Sequence, residues 1–192
     1  PWQIEVDGQG GSRVFGLQPG VSTLAQVKQK LGNEVEVAII AGPNEAGALE
    51  AYYAQVSLGF VLARVIVTVD APEAAIVAMR ERALKAQHME STTRKITLHP
   101  DDLAVINDLP IKAVSVIPTV NLDEATVTQR FGQPGERLVV SEKRVHLLYP
   151  EKGLDVVVDA DGKELLQYVA PRDFSMLRAP LVAAGESRAP AQ

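Results

Sequence analysis

"VTQRFGQPGE", Val127 to Glu136, repeats a phrase already written as "VKQKLGNEVE", Val27 to Glu36. Each reads Val-x-Gln-basic-apolar-Gly, then a short polar turn ending in Glu. Both phrases have a polar cap upstream. Thr23 has Gln26 three residues on, and Asn121 has Glu124 three residues on. A cap oxygen that accepts a helix N–H, answered by Glu or Gln three residues later, is the capping-box signature. Leu24, Val27, Lys28 and Leu31 recur at helical spacing. Gly32 and Gly132 stand where a helix end favours positive φ. Each phrase therefore predicts a short helix stopped by glycine.

Working outward, strands follow both helices. Val35, Val37 and Ile39 alternate, "AGPNEAG" is a turn, and the stretch ending "LGFVLARVIVTVDAP" is β-branched. This predicts two to four antiparallel strands. After the second helix, "ERLVVSEKRVHLLYPEKGLDVVVDADGKELLQYVAP" predicts strands again, with Asp161-Gly162 suited to a type I′ hairpin. The two strand regions align. Tyr53 falls on Tyr149, Gly59 on Gly153, and Ala71-Pro72 on Ala170-Pro171. The expected fold is α+β: two tandem modules, each a short helical segment packed on an antiparallel sheet. The expected boundaries are 1–72 for the first module, 73–110 for a helical connecting segment, 111–174 for the second module, and 175–192 for a small polar tail.

Within the connecting segment, "PEAAIVAMRERALKAQHME" contains good helix formers behind Pro72, with Glu73 at the positive end. "STTRKITLHPDDLAVINDLPIKAVSVIP" reads as strand, short helix, strand. Pro100 suits the first helical position, and Asp101 and Asp102 suit the first turn.

The quoted helices and the "GLDVVVDADGKELLQYV" hairpin resemble the small protein A / outer membrane lipoprotein A family, which has a β-lactamase-inhibitor-protein-like fold. "NLDEATVTQRFGQPGE" keeps the Gly-x-Pro ending as Gly132 and Pro134, whereas "STLAQVKQKLGNEVE" has Glu34 in place of the proline. The resemblance implies a bacterial cell-envelope protein of the periplasm or outer membrane, often lipid-anchored. It also implies a non-enzymatic module whose partner is another envelope protein. It assigns no catalytic residue.

Composition narrows the classes. Of the 192 residues, 46% are hydrophobic, enough for a substantial core. A net charge of -5 argues against nucleic-acid binding, which needs a dense basic face. The chain has no cysteine, so disulfides, thiol nucleophiles and thiolate metal sites are excluded. No apolar run approaches the roughly 20 residues that span a bilayer. Membrane association, as the resemblance implies, would come only through a lipid anchor not present in this chain. Pro1 in place of Met leads one to expect a processed or trimmed start.

Candidate chemistry is sparse. His88, His99 and His146 lack ligand spacing. Asp155, Asp159 and Asp161 alternate as calcium ligands might on a strand, but "DADG" is explained by a turn. Asp101 and Asp102 diverge by about 100° around a helix, which separates them as a hydrolytic pair. "GGSRVFG", Gly10 to Gly16, is a hairpin loop and no nucleophile elbow. The surrounding "DGQGGSRVFG" lacks the Lys-Ser/Thr of a phosphate cradle. Arg80, Arg82 and Lys85 read as a solvated face. No catalytic, metal or cofactor site is expected. Tyr52, Tyr53, Tyr149 and Tyr168 are the binding candidates, since tyrosine contributes contact area at low entropic cost. The alternative reading is a small-ligand or lipid carrier, or a hydrolase, with a pocket between the modules. Polar residues converging around His99, Asp101 and His146 would favour it.

Overall fold

Thr23 accepts a hydrogen bond from the Gln26 backbone N–H, while Gln26 answers with its side chain on the Thr23 N–H. This capping box starts helix α1 (Leu24–Leu31), which ends at Gly32 with φ of 102°. Helix α4 (Glu124–Phe131) ends the same way at Gly132, φ 88°. Its cap is Asp123, which accepts from Thr126 N at 2.7 Å, and not the expected Asn121. Leu122 explains the shift. It is buried in the same core as Val127, and that spacing staples the chain to the first turn.

The computed structural model describes residues 2–89 and 92–186. A hairpin of β1 (Glu5–Val6) and β2 (Ser12–Arg13) closes around Asp7, whose carboxylate accepts the N–H groups of Gln9 and Gly11. After α1 come β3 (Glu36–Ala41), β4 (Ala48–Leu58) and β5 (Val61–Val69). Helix α2 (Glu73–Glu81) leads to β6 (Lys85–His88) and β7 (Arg94–Thr97). Helix α3 (Pro100–Val105) precedes β8 (Ile111–Pro118). After α4 follow β9 (Glu136–Val139), β10 (Arg144–Tyr149), β11 (Leu154–Asp159), β12 (Leu165–Val169) and α5 (Ser175–Glu186).

Ten of these strands form one antiparallel sheet in the order β6-β7-β3-β4-β5-β8-β12-β11-β10-β9. The fold is therefore α+β, with a large antiparallel sheet and five helices among the described residues. Two expectations are corrected. The segment 73–110 is not wholly helical: besides the strand expected in "STTRKITL", found as β7 beside β3, the unexpected β6 extends the sheet beyond it. All four β6 side chains are exposed, so its strand character comes from pairing with β7, not from an apolar pattern. Residues 111–118, expected to open the second module, form a strand. As β8 they sit between β5 and β12 at the sheet centre. The stretch from Ser175 is helix rather than tail. The rest of that expected tail, 187–192, and Pro1 lie outside the described residues.

Register sorts the side chains onto two faces. One aligned row runs Ala51, Val67, Val114, Tyr168, Leu154, Tyr149, and all six are buried. Leu24 and Val27 of α1, Ile76 and Met79 of α2, and Val127 and Phe131 of α4 cover this face in one core. Trp2, Ile4 and Phe15 pack on the same core. Trp2 meets Phe15 edge-on at 5.4 Å, and Phe15 meets Tyr168 at 5.6 Å.

Candidate functional site

The other face of the sheet carries the row Glu36, Tyr52, Ile66, Ser115, Gln167, Asp155, Leu148, Glu136. Its two ends are built differently. Towards β9, Leu148 and Val169 are buried with Phe174, and Ala113, Leu138, Leu177 and Leu181 pack against them. Helix α5 thus covers this end. Arg178 fastens it with two hydrogen bonds to Glu136, at 2.8 and 3.1 Å. The Arg178 guanidinium holds the Glu136 carboxyl below its ordinary value.

Towards β7 no element covers the face among the described residues. Glu36, Ala38, Ile40, Glu50, Tyr52, Ile66, Met89 and Lys95 line a groove of about 410 Å³. Its floor is mainly apolar, from Ala38, Ile40, Tyr52 and Ile66. Lys95 pairs with Glu36 at one border. Glu50 has no ion-pair or hydrogen-bond partner among the described residues, and burial raises its carboxyl above the ordinary value. Unpaired charge in partly desolvated surroundings is costly, and an incoming cation would relieve it.

The four candidate tyrosines are divided by strand parity. Tyr52 lies in the groove. Tyr53, Tyr149 and Tyr168 are 1%, 0% and 1% exposed, so they fill the core and offer a partner no surface. Two of them have a structural task. The Tyr53 hydroxyl donates to the Gly32 carbonyl at 3.1 Å, and the Tyr149 hydroxyl donates to the Gly132 carbonyl at 3.0 Å. Each tyrosine thereby ties a strand to the glycine that ends the helix above it. Burial pushes the Tyr53 phenol up to about 12 and raises Tyr149 as well, so both remain donors at neutral pH. The Tyr168 hydroxyl is buried with no partner among the described residues.

The remaining candidates stay apart. His99 caps α3, its Nδ1 accepting from the Asp101 N–H at 3.2 Å. Asp102 is buried and receives Arg82 at 2.6 Å, which ties α2 to α3. Arg80 donates to the carbonyls of Glu45 and Ala46. Arg82 and Lys85 are exposed, as a solvated face predicts, while Arg82 and Arg80 also serve as structural ties. His88 is exposed on the edge strand β6, opposite Arg94 of β7. His146 is buried in β10 with Nδ1 at 2.8 Å from Asp155 Oδ2. His99 and His146 thus belong to separate pairs. A His–Asp pair could orient a general base, but no hydroxyl nucleophile is bonded to His146 among the described residues. Asp159 receives Arg144 at 2.7 Å, and Asp161 receives Lys143. No group of three His, Asp or Glu able to hold a metal occurs among the described residues.

The helix layer has two further grooves. One, of about 520 Å³, lies beside Trp2, Arg130 and Lys152, and the other, of about 420 Å³, beside Arg13, Phe15 and Lys30. Gln3 borders both, so the N-terminal segment separates them. The chain matches no protein-family model, and neither a curated protein nor a solved structure matches it. No helix among the described residues is long and apolar enough to cross a membrane.

Proposed function

We propose that the protein is a non-enzymatic binding module of the bacterial cell envelope, made of two copies of one helix-plus-sheet unit that share a sheet. The envelope setting rests on the resemblance carried by "STLAQVKQKLGNEVE" and "NLDEATVTQRFGQPGE". The duplicated build is supported by the matching bonds from Tyr53 to Gly32 and from Tyr149 to Gly132. It is supported also by the strand order. In this reading β3, β4, β5 and β8 correspond to β9, β10, β11 and β12, with a two-fold axis at the paired residues Ser115 and Gln167. Gly59 and Gly153 then occupy the same hairpin. Ala71-Pro72 and Ala170-Pro171 do not correspond, since the first follows β5 and the second follows β12.

One observation carries the function: the uncovered apolar groove on the β3-β4-β5 end of the second face. A concave, mainly apolar floor edged by a few charged groups is the form a binding site takes. The module binds another envelope protein there, with Tyr52 and Ile66 as anchors.

The test is affinity capture from a bacterial envelope extract, with wild-type chain and Tyr52→Asp and Ile66→Asp variants as baits. The expected result is a saturable partner, identified by mass spectrometry, that both variants lose while keeping the wild-type circular dichroism spectrum. A partner retained by both variants, or none at all, overturns the reading.

A further inference from the structure

We infer that the open groove accepts an amphipathic α-helix from the partner protein, with a basic residue aimed at Glu50. This deepens the binding-module reading and rests on it. The protein already contains such a contact. Helix α5 lies on the same face of the same sheet, with Phe174, Leu177 and Leu181 against Leu148 and Val169. Those three residues are spaced i, i+3, i+7, one stripe of a helix. Arg178, at i+4, reaches back to Glu136.

The open end offers the matching features. Glu36 ends the sheet row as Glu136 ends it on the other side, but Glu36 is already paired with Lys95, which leaves Glu50 as the groove's free carboxylate among the described residues. Tyr52, next to Tyr53, takes the place of Leu148, next to Tyr149. By the same correspondence Ile66 stands where Asp155 stands, and Glu50 where His146 stands. The open end therefore has one more apolar side chain and an acidic group with no partner among the described residues. A helix with an Arg or Lys beside its apolar stripe supplies both what covers Ile66 and what neutralises Glu50. An apolar ligand alone would leave the Glu50 carboxylate buried without a partner, at greater cost than in the free protein.

The probe is a 14-residue acetylated and amidated peptide with Phe, Leu, Arg and Leu in the spacing of Phe174, Leu177, Arg178 and Leu181. A fluorescent label reports its binding to the full chain by anisotropy. Saturable binding is expected, weakened roughly tenfold or more by Ile66→Asp and by Tyr52→Ser, as for central anchor residues. Glu50→Gln should weaken it by about threefold, in line with a partly exposed ion pair. Changing the peptide Arg to Glu should abolish binding, and Glu50→Lys should restore it.

Several outcomes overturn the inference. Absence of saturable binding does so. Binding indifferent to Ile66→Asp does so, because the peptide would then have displaced α5 at its own end. A dimer of this chain that Ile66→Asp dissociates would give the groove to a second copy. If capture of an envelope partner still depends on Tyr52 and Ile66 while the peptide fails, the helical inference falls and the binding-module reading stands. If both fail, both fall.

Discussion

At one end of the sheet Leu148 and Val169 lie beneath Phe174; at the other, Tyr52, in the place of Leu148, lies with Ile66 in an open groove. The strands beneath are continuous, so the difference arises in the chain that follows them. The dipeptide Ala71-Pro72 launches α2, and Ala170-Pro171 leads into α5. Helix α2 turns Ile76 and Met79 into the main core, on the face already covered by α1 and α4. Helix α5 turns Phe174, Leu177 and Leu181 to the opposite face. One sheet thus ends with a closed second face on one side and an available one on the other.

The largest expected effect contrasts the two ends directly. Phe174→Ala removes a buried ring from the α5 contact and should cost about 3 kcal/mol. Ile66→Ala, in the open groove, should cost less than about 1 kcal/mol. Urea unfolding followed by circular dichroism measures both. Equal costs would break the comparison, because the groove would then be part of the stabilising core. Next come the two tyrosine ties. Tyr53→Phe and Tyr149→Phe each remove one hydrogen bond to a glycine carbonyl, worth about 1 kcal/mol. The two sites share no partner, so the double variant should show the sum to within about 0.5 kcal/mol. A clearly unequal pair would mean that the two helices are not held in the same way.

What was legible in the sequence was mostly local. Thr23, Gln26, Gly32 and Gly132 mark helix ends because caps and positive φ are decided within a few residues. Tyr53 aligns with Tyr149, but both were expected at a binding surface, and their bonds to Gly32 and Gly132 were not foreseen. The division of the tyrosines was also available, since Tyr52 and Tyr53 are neighbours on a strand and must face opposite ways. Helix α5 was hidden because its stripe begins at Phe174, across the boundary drawn at Ser175, and Pro180 interrupts its interior. Strand β6, "KAQH", carries no alternation, because an edge strand with four exposed residues needs no apolar side. The groove itself could not be read. Its openness depends on which face α2 and α5 choose, and that is set by contacts far apart in the chain.

The smallest effects sharpen the comparison by sign. The Glu136 carboxyl is held low by Arg178, so it stabilises the α5 end above its unfolded value of about 4.3. That contribution is lost as pH falls through the depressed folded value. Glu136→Gln should therefore cost from about 0.2 to 1 kcal/mol at pH 7 and nothing in strong acid. Glu50 runs the other way. Burial raises its folded value, so the folded protein prefers it protonated and loses stability as pH rises from the unfolded value through the folded one. Glu50→Gln should therefore raise the urea midpoint at pH 7 and leave it unchanged at pH 3. The same substitution weakens the helical peptide. A residue whose removal improves the fold and impairs the contact is a residue kept for the contact. If Glu50→Gln lowers the midpoint at pH 7, its carboxylate already has what it needs in the free protein, and the groove has lost its claim on a basic partner.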